Sequence, residues 1–301
     1  MLIVKCLGGL GNQMFQYAYY LELKQRDFET YFDISDFADY KLHHGYELNR
    51  IFGVTPLLIE AENTPEFKHI LQLRRRYEHG YGHNKHRLFI DRLRNKLRIG
   101  NCVIVQRNFG YDLKYIHFKP SSKHSYLLDG YWQSEKYFAS CVNQVRQAFK
   151  FPSLDKGNQL IAQQIEQVNS VSVHVRRGDY VNNPLHGDIC TLDYYKRAIG
   201  IINSKIANPQ FYVFSDDVAW CKDNLSLPNA VYVDGNQGKN SYKDMQLISL
   251  CKCNIIANSS FSWWGAWLNI NSNKVVIAPR KWFNDTRFNV SDLLPNEWIK
   301  I

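Results

Sequence analysis

The sequence predicts an α/β protein made of two nucleotide-fold domains that face each other across a cleft. In the second half, short apolar runs alternate with helical patterns, and one helix between successive strands is typical of a parallel, doubly wound sheet. The first half opens with the same strand, glycine turn and helix, and 301 residues suffice for two ordinary domains. Because Phe151-Pro152-Ser153 breaks the pattern, we expect domains at 1–152 and 153–301.

In the first half, residues 2–7 form the first predicted strand. The first helix is predicted from Met14 to Lys24, because Met14, Phe15, Ala18 and Leu21 share one face at helical spacing. Two more strands are predicted at 101–106 and 126–132, and Ser134 could cap a helix that runs to about Phe149. A basic helical insertion at about 66–100 interrupts this order.

The second half is more regular. Its predicted strands lie at 171–175, 211–214, 230–233, 254–257 and 275–278. Its predicted helices lie near 191–206, 217–224, 243–252 and 260–270. The alternation predicts that all these strands are parallel, so that their carboxyl ends meet at one edge of the sheet.

Composition narrows the class of partner. The chain carries 37 Lys and Arg against 28 Asp and Glu, which favours an acidic partner such as a nucleic acid, a membrane surface or a phosphorylated small molecule. The N-terminus lacks the basic lead and apolar length of a signal peptide, and no run approaches the roughly 18 apolar residues of a spanning helix. Seven cysteines form neither a disulfide framework nor a zinc pattern, so we expect a reduced, cytosolic protein.

Residues 68–98 hold ten Lys and Arg and four His against only Glu78 and Asp91. One interpretation is a surface that docks to nucleic acid or to an anionic membrane. The other is a solvated helical insertion, as most charge runs are. Aromatic residues are sparse there and no RNA-binding motif occurs, so we expect no nucleic-acid partner, and weak membrane attachment stays open.

A glycine-rich loop, Gly8-Gly9-Leu10-Gly11-Asn12-Gln13, joins the first strand to the first helix. It is neither a P-loop, since no Gly-Lys-Ser/Thr follows, nor a dinucleotide fingerprint, since Met14 stands where Gly or Ala is needed. The loop could direct backbone amides and polar side chains at a ligand in the cleft. It could equally be a tight turn with Asn12 as the helix cap, and the two interpretations are compatible.

Residues 171–180 read Val-Ser-Val-His-Val-Arg-Arg-Gly-Asp-Tyr and carry the strongest functional signal. A strand buried in a parallel sheet should be apolar nearly throughout, whereas this one places Ser172, His174 and Arg176 along one face. Since ligands of open α/β sheets bind at the carboxyl ends of strands, this strand predicts an anion site. The alternative is that Arg176 and Arg177 are salt-bridged to solvent-facing acids.

Phe214-Ser215-Asp216-Asp217 follows another predicted strand. Asp216 could accept hydrogen bonds from a nucleobase or a ribose. The alternative is that Ser215 or Asp216 caps the helix at 217–224, and the sequence leaves both open.

The segment Asn258-Ser259-Ser260-Phe261-Ser262-Trp263-Trp264-Gly265-Ala266-Trp267-Leu268-Asn269 follows the strand that ends at Ala257. Serines at a helix start offer hydroxyls and free backbone N–H groups to a diphosphate. Phe261, Trp264 and Leu268 share one helical face, which predicts a core role for most of the aromatic residues. No Asp-x-Asp occurs in the sequence, so a bound sugar nucleotide would need cations such as Arg176 in place of a metal.

Three segments together resemble the family 11 glycosyltransferases, the α-1,2-fucosyltransferases. They are Gly-Gly-Leu-Gly-Asn-Gln-Met-Phe-Gln-Tyr-Ala, His-Val-Arg-Arg-Gly-Asp-Tyr and Ser-Ser-Phe-Ser-Trp-Trp-Gly-Ala-Trp-Leu. Asp129-Gly130-Tyr131-Trp132-Gln133 and Phe214-Ser215-Asp216-Asp217 fit the same family in the same order. The resemblance covers essentially the whole chain, apart from the insertion at 68–98, which carries no recognised motif.

The resemblance implies a GT-B fold and inverting, metal-independent transfer of L-fucose from GDP-β-L-fucose to the 2-hydroxyl of a terminal β-galactoside, with no cofactor. It places Arg176 on the diphosphate, supported by His174 and Arg177, and makes Asp179 the simplest candidate for the general base. Asp179 could instead be a structural partner of Arg177 or an acceptor-binding group. The donor-binding residues implied are Gly11, Asn12, Gln13, Arg177, Asp216, Ser259, Ser260 and Phe261.

The biological setting follows from the same resemblance. We expect a bacterial cytosolic enzyme, peripheral on the inner membrane face, whose acceptor is a lipid-linked precursor of O-antigen or capsule ending in galactose. Two alternatives stay open: a related fucosyltransferase of α-1,6 or protein O-linked specificity, and a sugar-nucleotide or nucleic-acid binding module without turnover.

Overall fold

The structure is a computed structural model that describes residues 1–26, 28–39, 43–59, 68, 102–106 and 114–301. It divides the chain into two compact units, Met1–Ala148 and Phe149–Ile301. The division falls after Ala148, whereas the sequence predicts it after Pro152. Apart from Lys68, the basic segment 68–98 and the insertion predicted at about 66–100 lie outside the described residues.

The amino-terminal unit is built on a four-stranded parallel sheet of order β2-β1-β4-β3. Its strands are β1 (Leu2–Lys5), β2 (Thr30–Asp33), β3 (Cys102–Gln106) and β4 (Ser125–Asp129). β1 is buried at every position and pairs with β2 and β4, so that Ile3 lies beside Tyr31 and Leu127. The sequence did not predict β2.

Helix α1 (Leu10–Gln25) follows β1, and it begins four residues earlier than the predicted Met14. Gly9 is its N-cap, and the carbonyl of Gly9 accepts from the backbone N–H groups of Asn12 and Gln13. Asn12 therefore lies inside the first turn, and the expectation that it caps the helix is wrong.

The end of this unit differs from the single predicted helix. Ser134 caps the helical segment as predicted, and its side chain accepts from the backbone N–H of Lys136. The segment is a 3-10 helix, Glu135–Cys141, with a kink at Phe138, whose backbone angles are non-helical, and it is followed by α3 (Val142–Ala148). A short helix α2 (Leu48–Phe52) precedes the undescribed region.

The carboxy-terminal unit holds a six-stranded parallel sheet of order β10-β9-β8-β5-β6-β7. Its strands are β5 (Asn169–Val175), β6 (Pro209–Ser215), β7 (Val231–Val233), β8 (Cys253–Ile255), β9 (Val276–Ala278) and β10 (Ile299–Lys300). The prediction of an α/β fold with parallel sheets is confirmed, and the five strands predicted for this half are all present.

Helices cover both faces of this sheet. They are α4 (Lys156–Gln167), α5 (Leu192–Lys205), α6 (Val218–Asn224), α7 (Tyr242–Leu250) and α8 (Ser260–Leu268). Val171, Val173 and Val175 pack with α5 on one face, and Tyr212 and Phe214 pack with α4 and α7 on the other. Only α4 among these helices was not predicted.

Helix α8 is buried almost completely, including the indoles of Trp263, Trp264 and Trp267. It packs closely against α7 because Gly265 has no side chain, and a β-carbon there would lie 2.5 Å from Cγ2 of Ile248. The prediction that the aromatic residues are mostly core is confirmed for the three tryptophans. This packing fixes the start of α8 at the edge of the sheet.

Candidate functional site

The candidate site lies at the carboxyl-terminal edge of the six-stranded sheet. β5 lies between β8 and β6, so the loops that follow these three strands are neighbours, as expected for ligand binding in open α/β sheets. The loops carry most of the predicted site residues of this unit: Arg176, Arg177, Asp179, Asp216, Ser259, Ser260 and Phe261. Contacts described below join these loops.

Arg176 is bound to two carboxylates. Its Nε donates to Oδ1 of Asp179 at 2.8 Å and its Nη2 lies 2.7 Å from the same oxygen, while Nη1 lies 3.1 Å from Oδ2 of Asp216. The arginine side chain is 31% exposed and that of Asp179 is 54% exposed, so a ligand can reach both. The guanidinium also lies 5.7 Å from the ring centroid of Tyr180.

Arg177 turns toward helix α6. Its Nε donates to Oδ2 of Asp217 at 3.0 Å, and its guanidinium carbon lies 3.9 Å from the ring centroid of Trp220. Its backbone N–H donates to Oδ1 of Asp216 at 2.8 Å. The alternative that both arginines are salt-bridged to partly exposed acids describes this structure correctly, and the partner of Asp179 is Arg176 rather than Arg177.

Asp217, not Ser215 or Asp216, is the N-cap of α6. Its carboxylate accepts from the backbone N–H of Trp220 at 3.1 Å. This hydrogen bond and the one from Arg177 lower the pKa of the Asp217 carboxyl. Because the cap uses Asp217, the preceding Asp216 is available to both arginines.

His174 is 5% exposed and stays neutral. Burial, followed by the positive charge of Arg176, lowers the pKa of its imidazole from 6.5 to about 3. Its Nδ1 is buried and finds no hydrogen-bond partner among the described residues, and its ring centroid lies 5.6 Å from that of Phe261. His174 therefore joins the end of β5 to the start of α8.

A buried amide network explains why the polar face of β5 lies inside the protein. Nδ2 of Asn254 donates to the hydroxyl of Ser172 and to the carbonyl of Ile248, both at 2.8 Å. Nδ2 of Asn269 donates to Oδ1 of Asn254 at 2.8 Å. Ser172 is thus a structural member of the core, and only the residues beyond His174 reach the exposed edge.

The serines at the start of α8 have different surroundings. Ser259 is buried and is the N-cap, with its hydroxyl accepting from the backbone N–H of Phe261 at 3.3 Å. Ser260 is partly exposed, and its hydroxyl has no hydrogen bond within the described chain. Of the two, Ser260 is the side chain that is free to contact a ligand.

A loop that the sequence did not single out closes one side of the site. The hydroxyl of Tyr180 donates to the carbonyl of Asn258 at 3.1 Å, and Nδ2 of Asn258 donates to the carbonyls of His186 and Trp282. The rings of Tyr180 and His186 stack at 4.9 Å. The aromatic residue directly after Arg-Arg-Gly-Asp was the available signal for this support.

A second missed group lies beyond β7. Asp244, in the first turn of α7, accepts from Nδ2 of Asn236 at 2.8 Å, and Asn236 also donates to Asn158. Burial, helped by the charge of Asp234, raises the pKa of the Asp244 carboxyl from 3.8 to about 7. Nothing in the sequence marks Asp244 as different from other helix-start acids.

The glycine-rich loop of the amino-terminal unit contains two kinds of amide. Gln13 is buried, with Nε2 donating to the carbonyls of Gly8 and Gly45 and Oε1 accepting from the backbone N–H of Glu47. Both amide hydrogens of Gln13 are therefore used inside the protein, and Gln13 shapes the loop instead of facing a ligand. Gly11 is buried in α1, whereas Asn12 is partly exposed and accepts from Nε2 of Gln133 at 2.8 Å.

The described residues include neither a metal-binding cluster nor a membrane-spanning helix. In that part of the chain, no group of three or more His, Cys, Asp or Glu residues is placed to hold a metal ion. None of the helices described there is both long and apolar enough to cross a membrane.

Comparisons with known proteins find a family and relatives that match essentially the whole chain. The sequence model of glycosyl transferase family 11 matches residues 1–301. An α-1,2-colitosyltransferase from Escherichia coli is 33% identical over 308 residues, covering 100% of this chain and 98% of that protein. The O-antigen biosynthesis glycosyltransferase WbnK of Escherichia coli is 34% identical over 319 residues, with coverage of 98% and 99%.

A more distant similarity involves an animal enzyme. Galactoside α-(1,2)-fucosyltransferase 2 of Rattus norvegicus is 32% identical over 103 residues, which cover 33% of this chain and 29% of that protein.

Proposed function

This chain belongs to glycosyltransferase family 11, and from that membership we propose that it transfers L-fucose from GDP-β-L-fucose to the 2-hydroxyl of a terminal β-galactoside. The transfer inverts the anomeric carbon and uses neither a metal ion nor a cofactor. The similarity to a galactoside α-(1,2)-fucosyltransferase supports the sugar and the linkage.

The observation that carries the proposal is the placement of Arg176. It is a partly exposed guanidinium at the carboxyl end of a central strand, and it forms ion pairs with the side chains of Asp179 and Asp216. A guanidinium can bind a diphosphate through two parallel hydrogen bonds. In the transition state it would stabilise the negative charge that develops on the departing GDP.

Residues of this site account for the leaving group and for the proton of the transfer. The oxygen of the acceptor 2-hydroxyl forms a bond to the anomeric carbon as the bond from that carbon to the phosphate oxygen breaks, and GDP leaves. When the diphosphate binds Arg176, it competes with Asp179, whose carboxylate is then free to accept the hydroxyl proton. Asp179 lies within hydrogen-bond distance of Arg176, so binding of the donor and activation of the acceptor are coupled.

The remaining residues would bind the donor. Asp216, fixed by the backbone N–H of Arg177, would accept from the guanine or the ribose, and the hydroxyl of Ser260 would donate to a phosphate. Arg177 and His174 support Arg176 from the same strand end. Ser259 caps α8 and would act by fixing the start of that helix, while Phe261 and Asn12 would contact the base and the sugar.

Colitose is a second candidate for the transferred sugar. The chain is 33% identical over its full length to an α-1,2-colitosyltransferase, and colitose is L-fucose without its 3-hydroxyl. Both donors require the same diphosphate site and the same acceptor chemistry. A donor panel that contains both sugars decides between them.

The acceptor would be a galactose-terminated, lipid-linked precursor of a bacterial surface polysaccharide, in line with the O-antigen enzyme among the relatives. The formal charge of +9 would favour weak attachment to the anionic inner leaflet from the cytoplasmic side. Flotation with anionic liposomes tests this: attachment should be seen at low salt and lost at high salt.

The decisive experiment is a GDP-release assay with purified protein and EDTA present. GDP-fucose and GDP-colitose are each offered with lactose, N-acetyllactosamine and no acceptor, and the product linkage is determined by NMR. Acceptor-dependent release that survives EDTA, with an α-1,2 product, supports the proposal. Release that needs a divalent cation, or an α-1,6 product, overturns it.

A further inference from the structure

The loops that follow β1 and β4 each contribute one amide, and the two amides form a pair. Gly8 has a φ of 92°, and a β-carbon on it would lie 2.8 Å from Nδ2 of Asn12. Because Gly8 has no β-carbon, the side-chain amide of Asn12 can lie directly against the loop backbone. Nε2 of Gln133 then donates to Oδ1 of Asn12 at 2.8 Å.

Gln133 is held at a fixed position. The residue before it, Trp132, is buried with a φ of 52°, which bulky side chains rarely adopt. The rings of Tyr19 and Tyr137 hold the indole at centroid distances of 4.7 and 5.3 Å. The residue after it, Ser134, caps the next helix, so both neighbours of Gln133 are anchored.

The buried side chain of Gln16 links the two loops by hydrogen bonds. Nε2 of Gln16 donates to the carbonyl of Gly130, and Oε1 of Gln16 accepts from the backbone N–H of Leu7, both at 3.0 Å. Gln16 is 1% exposed, so this link is shielded from water. The relative position of Asn12 and Gln133 is therefore built into the unit.

The direction of the hydrogen bond leaves a donor beside an acceptor. Because Oδ1 of Asn12 accepts from Gln133, the Nδ2 group of Asn12 and Oε1 of Gln133 remain, and neither has a hydrogen bond within the described chain. Both side chains are partly exposed. A hydroxyl group both accepts and donates, so one sugar hydroxyl matches this pair.

We propose that Gln133 has two roles: its Nε2 holds the Asn12 amide with Nδ2 toward a sugar hydroxyl, and its Oε1 accepts a hydrogen bond from that same hydroxyl. The proposal rests on the proposed function, because the hydroxyl belongs to the hexose of the donor or to the acceptor galactoside. It identifies a hydroxyl-recognition site outside the diphosphate site.

Two substitutions of Gln133 separate these roles from a packing role. Gln133→Met keeps the length of the side chain and removes its hydrogen bonds, so the Asn12 amide can adopt either orientation. Gln133→Glu accepts hydrogen bonds only, so it should attract Nδ2 of Asn12 and present Oδ1 to the ligand. Gln144→Glu, at an exposed position of α3, controls for the added negative charge.

We expect kcat/KM to fall about tenfold in Gln133→Glu and only about threefold in Gln133→Met, the range of one neutral hydrogen bond. GDP affinity, measured by calorimetry, and the melting temperature should stay unchanged, because GDP carries no hexose. Asn12→Asp keeps the bond from Gln133 and loses the donor, so it should match Gln133→Glu. Gln144→Glu should behave as the wild type.

Substrates that lack one hydroxyl identify the ligand atom. A rise in KM for the GDP-sugar assigns the hydroxyl to the donor, and a rise for the galactoside assigns it to the acceptor. With the deoxy analogue that lacks the recognised hydroxyl, the wild type and Gln133→Glu should have equal kcat/KM. Equal losses in the Met and Glu variants, or a matching loss of GDP affinity, overturn this inference alone, whereas a wild type without GDP-sugar binding overturns the proposed function as well.

Discussion

A β-carbon on Gly178 would lie 2.7 Å from Oδ2 of Asp216. The glycine after the two arginines thus provides the space in which a carboxylate from the neighbouring strand end meets both of them. Asp216 contacts the backbone of Arg177 and the side chain of Arg176 only because this space is free.

Gly178→Ala should move the Asp216 carboxylate away from both arginines. We expect a loss of about tenfold in kcat/KM, since at least one charge-assisted hydrogen bond is broken. The free energy of unfolding should fall by no more than about 1 kcal/mol, because Gly178 is exposed and the displaced carboxylate is the end of a flexible side chain. Kinetics and urea unfolding measure both. Gly200→Ala is the matched control: nothing lies within 4 Å of the added carbon in the middle of α5, so it should stabilise by about 0.5–1 kcal/mol.

Arg176→Ala should lower kcat by about 10²–10³-fold, because the diphosphate loses the cation that stabilises its developing charge. Arg176→Lys should recover only part of this loss, since an ammonium lacks the planar fork of a guanidinium. Arg197→Ala, which removes an exposed helix ion pair with Asp193, should keep full activity. An Arg176→Ala enzyme with unchanged kcat would refute the role of this residue.

Ser259→Ala and Ser260→Ala should affect different properties. The hydroxyl of Ser259 caps α8, so its removal should lower the free energy of unfolding by about 1 kcal/mol. Ser260 has no such bond, so Ser260→Ala should keep stability and weaken GDP binding about threefold to tenfold. Thermal melts and calorimetry on both variants check this, and the reverse pattern would be incompatible with the cap assignment.

Asp244 should make the protein less stable as the pH rises. Its pKa is about 7 in the folded protein against 3.8 for an ordinary aspartate, so between pH 4 and 7 the folded state binds a proton that the unfolded chain has lost. The contribution to stability is complete below pH 4 and is lost toward pH 7, by at most about 1.4 kcal/mol per pH unit. Asp244→Asn should flatten this slope in urea unfolding, and Asp223→Asn, at an exposed position, should not.

His174 should make the protein less stable as the pH falls, which is the opposite of the effect of Asp244. Its pKa is about 3 in the folded protein against 6.5 for an ordinary histidine, so between pH 3 and 6.5 only the unfolded chain is protonated there. Stability is complete above pH 6.5 and falls toward pH 3, again by at most about 1.4 kcal/mol per unit. His174→Gln should reduce the acid sensitivity, whereas the same change at the exposed His117 should leave it unaltered.

The strands and helices of the second half were predictable because each is a short apolar run or an amphipathic pattern bounded by polar turns. β5 was predicted as well, but the burial of its polar face was not, because the amide that pairs with Ser172 comes from Asn254, far away in sequence. Helix α4 was missed although Ile161 and Ile165, one turn apart, pack against the sheet.

The placement of Arg176, Arg177 and Asp216 at strand ends was predictable, and their hydrogen-bond partners were not. That Arg176 and Arg177 end a strand is visible in the sequence, but the choice of Asp179 for one and Asp217 for the other depends on loop geometry. The same holds for Gln13 and Asn12, adjacent residues of which one is buried and the other partly exposed. They differ because one residue of a helix turns the next side chain by about 100°.

The guanidinium of Arg176 is already paired with two carboxylates of the same chain, and an incoming anion must replace them. The two carboxylates are tethered to the same backbone, so they compete with any incoming anion at a high effective concentration. A monovalent anion such as chloride offers a single charge and no fork of oxygens, and it cannot replace both carboxylates. A diphosphate offers several oxygens on one scaffold and would displace them together, so the ion pairs of Arg176 would favour multivalent anions over simple ones.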